Sequence, residues 1–131
     1  MNSESTENMR KILIIEDDRF VAEMYNHALM RNDYQIEMAF DGESGFDKLK
    51  TGEFDLVLLD IMLPDIWGDE ILQKWREIHS KATKTRIIIL TNTQQDEISR
   101  SAIEADVDAY LIKADITPRR LREIIAEILL N

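Results

Sequence analysis

Glu16 and Asp17 follow the apolar run KILII, Asp60 ends FDLVLLD, Thr91 ends TRIIILT, and Lys113 follows DAYLI. Each of these polar groups stands at the end of a segment that reads as a strand. In an open α/β sheet, ligands gather outside the carboxyl ends of the strands, so these five residues, with Asp18 beside Asp17, are expected at one rim. Carboxylates brought together repel one another and hold their protons more tightly unless a cation is bound. The cluster therefore points to a hard-metal site with oxygen ligands, Mg²⁺ favoured. An ammonium and a hydroxyl next to such a site suit a phosphoryl group, one offsetting its charge and the other donating a hydrogen bond. Any one of these residues alone is readily explained as a polar strand end; the set is not.

Those groups need elements to hold them. Lys11 to Ile15, FDLVLLD and TRIIILT are continuous apolar runs of strand length, as strands covered on both faces require. DAYLI is a shorter strand, and YQIEMAF alternates, with Tyr34, Ile36, Met38 and Phe40 on one side, as an exposed or edge strand would. Phe20, Val21, Met24, Tyr25, Ala28 and Leu29 recur at three- and four-residue spacing and predict a helix burying that face. Asp41 is a candidate cap for a second helix running to about Lys50. Further helices are expected from Gly68 to His79 and from Asp96 to Ala105. In TPRRLREIIAEILL, Thr117 is the expected N-cap and Pro118 the first helical residue, with Leu121, Ile124, Ile125 and Ile128 on one face. Strands alternating with helices predict an α/β, doubly wound parallel sheet. Residues 1–9 are polar and uncapped and read as a flexible tail; 10–131 read as one domain.

Composition narrows the function classes. The 131 residues are 44% hydrophobic and 32% charged, a globular balance. Sixteen Lys and Arg against twenty-six Asp and Glu leave a net charge of −10. That field opposes direct nucleic-acid binding and favours protein partners or a bound cation. The absence of cysteine excludes disulfides and thiolate chemistry. No apolar run approaches the roughly 20 residues that span a bilayer, and MNSESTENMR lacks the apolar core of a secretory signal, so a cytoplasmic protein with no membrane contact is expected. No GxxxxGK[ST] is present for a P-loop enzyme. Trp75, His27 and His79 read as core or surface residues of helices, and Trp67 as either a packing residue or the edge of the site.

KILIIEDD, DLVLLDIMLPDIWGDE, IIILTN and AYLIKAD, in that order, together resemble the receiver domain of two-component response regulators, over about Met9 to Leu130. The resemblance implies a flavodoxin-like five-stranded sheet of order 2-1-3-4-5 with five helices. Residue by residue, it implies Asp60 as phosphoacceptor, Glu16 and Asp17 as the acidic pair that holds metal with Asp60, and the Met62 backbone carbonyl as a further ligand. Thr91 and Lys113 are implied as the phosphate-contacting pair and Tyr110 as the aromatic that reorients on activation. The implied cofactor is Mg²⁺, with Mn²⁺ able to substitute. The implied chemistry is covalent: ionised Asp60 attacks the phosphorus of a phosphohistidine, and the chain catalyses only its own phosphorylation and dephosphorylation.

The implied partners are a histidine kinase or phosphotransfer protein as donor, and a downstream protein or attached effector domain as output. The output face would be the surface of the fourth helix, fifth strand and last helix. Arg119, Arg120 and Arg122, with Asp96, Glu97, Glu104, Asp106 and Asp108 upstream, offer both signs of charge for a phosphorylation-dependent homodimer. Two features depart from the pattern: Ala114 follows Lys113 where many receivers have proline, and Asn92 stands where a small residue is common. A haloacid-dehalogenase-type phosphatase would need an acid where Met62 stands. A pseudo-receiver that binds partners without phosphorylation is the closer alternative, and retention of every site residue argues against it.

Overall fold

The alternation of β-rich and amphipathic segments resolves into a sheet with helices on both faces. The computed structural model of the chain describes residues 9–30, 33–78, 84–92, 101, 103, 104 and 106–130. Its elements are β1 (Arg10–Ile15), α1 (Arg19–Ala28), β2 (Tyr34–Ala39), α2 (Gly42–Leu49), β3 (Leu56–Asp60), α3 (Gly68–Ile78), β4 (Arg86–Thr91), β5 (Ala109–Ile112) and α4 (Pro118–Leu130). A single 3₁₀ turn, Lys113–Asp115, separates β5 from α4. The five strands are all parallel and lie in the order β2-β1-β3-β4-β5. Of the helix expected over Asp96 to Ala105, most residues lie outside the described ones; Ser101, Ile103 and Glu104 are helical. His79 and residues 1–8 of the expected tail also lie outside them. No helix among the described residues is long and apolar enough to cross a membrane.

Period-two alternation divides the core into two layers. Leu13, Ile15, Val57, Leu59, Ile87 and Ile89 pack with Leu49, Ile71, Leu72 and Trp75 on the face covered by α2 and α3. Ile12, Ile14, Leu56, Leu58, Ile88 and Leu90 pack with Ala22, Tyr25, Leu29, Leu121, Ile125 and Leu129 on the face covered by α1 and α4. β3 is buried along its whole length, as a central strand with a helix on either side must be. β2 is an edge strand, as its alternation predicts.

Local chemistry starts the helices where expected. The Asp41 carboxylate accepts from Ser44 N–H at 2.7 Å, and the Thr117 hydroxyl accepts from Arg120 N–H at 3.0 Å. One expectation fails: Phe20 and Met24 do not join the buried face of α1. Phe20 is 87% exposed and Met24 46%, while Ala22, Tyr25 and Leu29 carry the contact with the sheet. The helix is capped by Asp18, whose carboxylate accepts from the N–H groups of Phe20 and Val21, at 2.9 and 3.2 Å. The first turn is thus spent at the rim, and the buried stripe begins at Ala22.

Gly68 packs directly against the backbone at the end of β3. Its N–H donates to the Ile61 carbonyl at 2.7 Å, and a Cβ there would stand 2.4 Å from the Asp60 carbonyl oxygen and 2.7 Å from Ile61 Cα. Those atoms are backbone and cannot swing away. Gly68→Ala is expected to destabilise the fold by about 2 kcal/mol, within the usual range for an overpacked interior. A shift in the urea unfolding midpoint measures it; an unchanged midpoint would mean the start of α3 yields freely.

Candidate functional site

Strand register sets the rim. Ile15 lies level with Leu59, and Asp60 with Leu90, so Glu16 and Asp60 emerge at the same height on adjacent strands. Thr91 is level with Ile112, which brings Lys113 up one residue beyond. The structure therefore gathers at one end of the sheet the groups that lie at the ends of β1, β3, β4 and β5. Glu16 is 3% exposed, Asp60 5% and Thr91 fully buried, whereas Asp17 projects into solvent.

Lys113 ties the centre together. Its ammonium donates to Glu16 Oε1, and to Asp60 Oδ2 at 3.2 Å. The second oxygen of each carboxylate is held by backbone: Asp18 N–H donates to Glu16 Oε2 at 3.0 Å, and Met62 N–H to Asp60 Oδ1 at 3.1 Å. Four contacts fix two carboxylates in place. Burial pushes the Glu16 carboxyl up to about 7, against the pull of Lys113 and with the push of the Asp60 charge. Burial by itself would lower the Lys113 ammonium, but its bond to Glu16 and the charges of Asp60 and Glu16 outweigh it and raise it.

Glu16, Asp17 and Asp60 each offer a carboxylate oxygen within 4.8 Å of the others. Three carboxylates facing one ammonium leave negative charge uncompensated, and all donors are hard oxygens. That set fits a divalent cation of the Mg²⁺ kind, which takes few carboxylates and keeps several waters. Asp18, read from sequence as one more carboxylate of the cluster, does not join it, because capping α1 uses its side chain.

Other site expectations are placed as follows. Met62 is exposed, and its backbone N–H faces Asp60. Tyr110 is half-buried and packs on the α2–α3 layer of the core. The Lys113–Ala114 peptide is trans, as are all peptides of the described residues. Trp75 is in the core, Trp67 is half-exposed at the start of α3, and His27 is exposed on α1. Of the charges considered for a dimer contact, Asp106 and Asp108 are engaged within the chain by Arg76 and Arg86, and Arg119 and Arg120 by Glu123.

Sequence reasoning missed Tyr25, which it read as one more apolar residue of α1. The ring is buried beneath the site among Ile14, Glu16, Leu58, Asp60 and Leu90, and burial raises its phenol. Periodicity placed it inward correctly but says nothing of what lies opposite.

Comparison with known proteins gives the same reading. The family model for the response regulator receiver domain matches residues 12–126. The transcriptional regulatory protein DltR of Streptococcus agalactiae is 35% identical over 121 residues, 92% of this chain and 51% of that protein. The response regulator ArlR of Staphylococcus aureus is 33% identical over 120 residues, with the same coverage of 92% and 51%. The chain thus spans about half the length of these curated relatives. Among solved structures, a CheY-like response regulator receiver domain from Methanospirillum hungatei superposes with a TM-score of 0.80 at 32% identity, covering 92% of this chain and 94% of that one. Parallel strands in the order 2-1-3-4-5, an acidic cluster at their carboxyl ends and a family match over most of the length lead to one conclusion: the chain belongs to the response regulator receiver domain family.

Proposed function

We propose that this receiver domain is a phosphoryl-accepting switch, taking the phosphoryl group of a phosphohistidine onto Asp60. The observation that carries this reading is the Asp60 carboxylate itself. It is buried at the rim, held on one oxygen by Lys113 and on the other by Met62 N–H, within reach of two more acids. In the proposed reaction an Asp60 oxygen attacks phosphorus, the N–P bond breaks, and its electron pair stays on the imidazole nitrogen of the donor. Lys113 offsets charge on the transferring oxygens, and the Thr91 hydroxyl donates to one of them. Mg²⁺, with Mn²⁺ as a substitute, would be held by Glu16, Asp17, Asp60 and the Met62 carbonyl, and would neutralise charge on the phosphoryl group.

Exposed apolar side chains flank the rim, Phe20 and Met24 on α1 and Met62 and Trp67 beside β3, and they suit the surface of a donor protein. A histidine kinase or phosphotransfer protein of the cytoplasm is the donor this chemistry requires. The output partner is a downstream protein or an attached effector domain, reached when Tyr110 and the elements around it reorient. The test is to incubate the chain with MgCl₂ and a small phosphodonor and weigh it intact. Gain of one phosphoryl group that depends on MgCl₂ supports the reading; an unchanged mass supports a phosphorylation-independent interaction module.

Two expectations follow from the geometry. Metal binding needs Glu16 ionised, and its carboxyl sits at about 7. Mg²⁺ affinity should therefore rise roughly tenfold between pH 6 and 8, following the ionised fraction. Titration with MgCl₂ at the two pH values, followed by tryptophan fluorescence, measures this, and equal affinities would remove Glu16 from the ligands. The second expectation is a long-lived phosphoryl group. The Met62 thioether cannot donate a hydrogen bond and accepts only weakly, so it blocks a water in line with phosphorus without orienting one. Met62→Asn should speed loss of the adduct roughly tenfold, equivalent to about 1.4 kcal/mol of barrier. Decay that is unchanged or slower would show that residue 62 does not limit water attack.

A further inference from the structure

We infer that Asp65 is a positioning residue for the Asp60 site, anchoring the loop between β3 and α3 to the first turn of α2. The inference rests on the phosphoacceptor reading above. Asp65 Oδ1 accepts from Gly42 N–H at 2.7 Å and Oδ2 accepts from Glu43 N–H at 2.9 Å, across 23 and 22 positions of sequence. Helix N-termini leave such N–H groups unpaired, and the dipole favours a carboxylate there. Yet α2 already has its own cap, Asp41. Asp65 is a second acid brought from another element, and the stability of α2 alone does not require it.

Three features give the contact its purpose. The loop carrying Asp65 also carries Met62, whose N–H holds Asp60 and whose carbonyl is the proposed metal ligand. The loop is pinned at its ends by that bond and by Gly68 N–H to the Ile61 carbonyl, at 2.7 Å; between them Leu63 is buried and Ile66 half-buried, while Pro64 and Asp65 are exposed. The two surfaces close only because residue 42 has no side chain, since a Cβ there would lie 1.9 Å from Ile66 Cγ2. The Gly42 N–H, with that of Glu43, also holds the Asp65 carboxyl below the ordinary carboxylate value, so it stays charged near neutrality. Without this tie the loop keeps, between its pinned ends, only its apolar anchors, Leu63 in the core and Ile66 against Gly42, which leave its backbone free to slide, and the groups lining one side of Asp60 are held less firmly.

The test follows adduct formation by intact mass at increasing MgCl₂, with a small phosphodonor, for the full chain and three variants. Asp65→Ala should need roughly tenfold more MgCl₂ for half-maximal rate, the usual scale for losing a group that supports metal ligands. Asp65→Asn, with one oxygen left to accept, should fall between that variant and the parent. Asp41→Ala removes the helix's own cap and leaves the Asp65 tie intact. It should lower the unfolding midpoint yet keep the parent's MgCl₂ requirement. If Asp65→Ala keeps the parent's requirement, or Asp41→Ala shifts it equally, Asp65 acts only on helix stability and the inference fails. A parent that takes no phosphoryl group overturns the functional reading and this inference with it.

Discussion

Asp60→Asn should acquire no phosphoryl group under conditions that modify the parent completely. Asparagine keeps the shape of the side chain and an oxygen to accept from Met62 N–H, but its amide NH2 replaces the oxygen that accepts from Lys113, leaving that ammonium to Glu16. What is lost is the negative charge. A neutral amide oxygen is a far weaker nucleophile, and the ionised attacking group is the one contribution that no neighbour replaces. Glu16 is buried and paired with Lys113, and Asp17 projects outward, so neither stands where Asp60 does. The substitution removes a like charge beside Glu16, one of the causes of its raised value, and one of the two acceptors of Lys113, whose bond to Glu16 remains, so the fold should be retained. Loss of the adduct would then not be a folding defect. Intact mass with MgCl₂ and a small phosphodonor decides it, with the unfolding midpoint as control. A phosphoryl adduct that persists in this variant assigns the acceptor wrongly.

Lys113→Ala should give the largest stability change of any single substitution at the site, and a change that depends on pH. Its ammonium is the shared counter-charge of two carboxylates that are each almost wholly buried. Removing one partner of a buried ion pair usually costs 3–5 kcal/mol because the charge left behind is uncompensated. About 3 kcal/mol is expected at pH 8. Glu16, already raised to about 7, rises further without its partner. The folded state then holds a proton that the unfolded chain releases above the ordinary value of 4.5, so folding stability falls as pH rises through that interval. The deficit relative to the parent should therefore shrink toward pH 5, where Glu16 is protonated in the folded variant. MgCl₂ should restore part of it at pH 8, because a cation bound only by the folded state stabilises that state. Urea unfolding at both pH values, with and without MgCl₂, measures all three effects. A loss independent of pH and of Mg²⁺ would show that Lys113 acts through packing rather than charge.

The α/β class, the edge position of β2 and four of the helices were legible because burial has a period, two for a strand and 3.6 for a helix, and that period is written locally. The caps at Asp41 and Thr117 were legible for the same reason, since each acts within one turn of its own position. The candidate site could be listed because polar residues at the carboxyl ends of parallel strands have only one rim to occupy. Asp18 shows the limit of that rule: a carboxylate beside the cluster was counted into it, and a nearer demand, the first turn of α1, took it instead.

By itself, then, the sequence determined which residues reach the rim and which elements carry them. Tertiary structure decided how they meet. Lys113 and Glu16 stand 97 positions apart, and only the strand register makes that ammonium bridge Glu16 and Asp60. The exposure of Phe20 on α1, the seating of Tyr25 beneath two carboxylates, and the reach of Asp65 to α2 were equally out of view. The physical reason is one of range. Periodicity and capping report each residue's relation to its own helix or strand, whereas contacts between elements depend on how two surfaces pack at distances of a few ångströms.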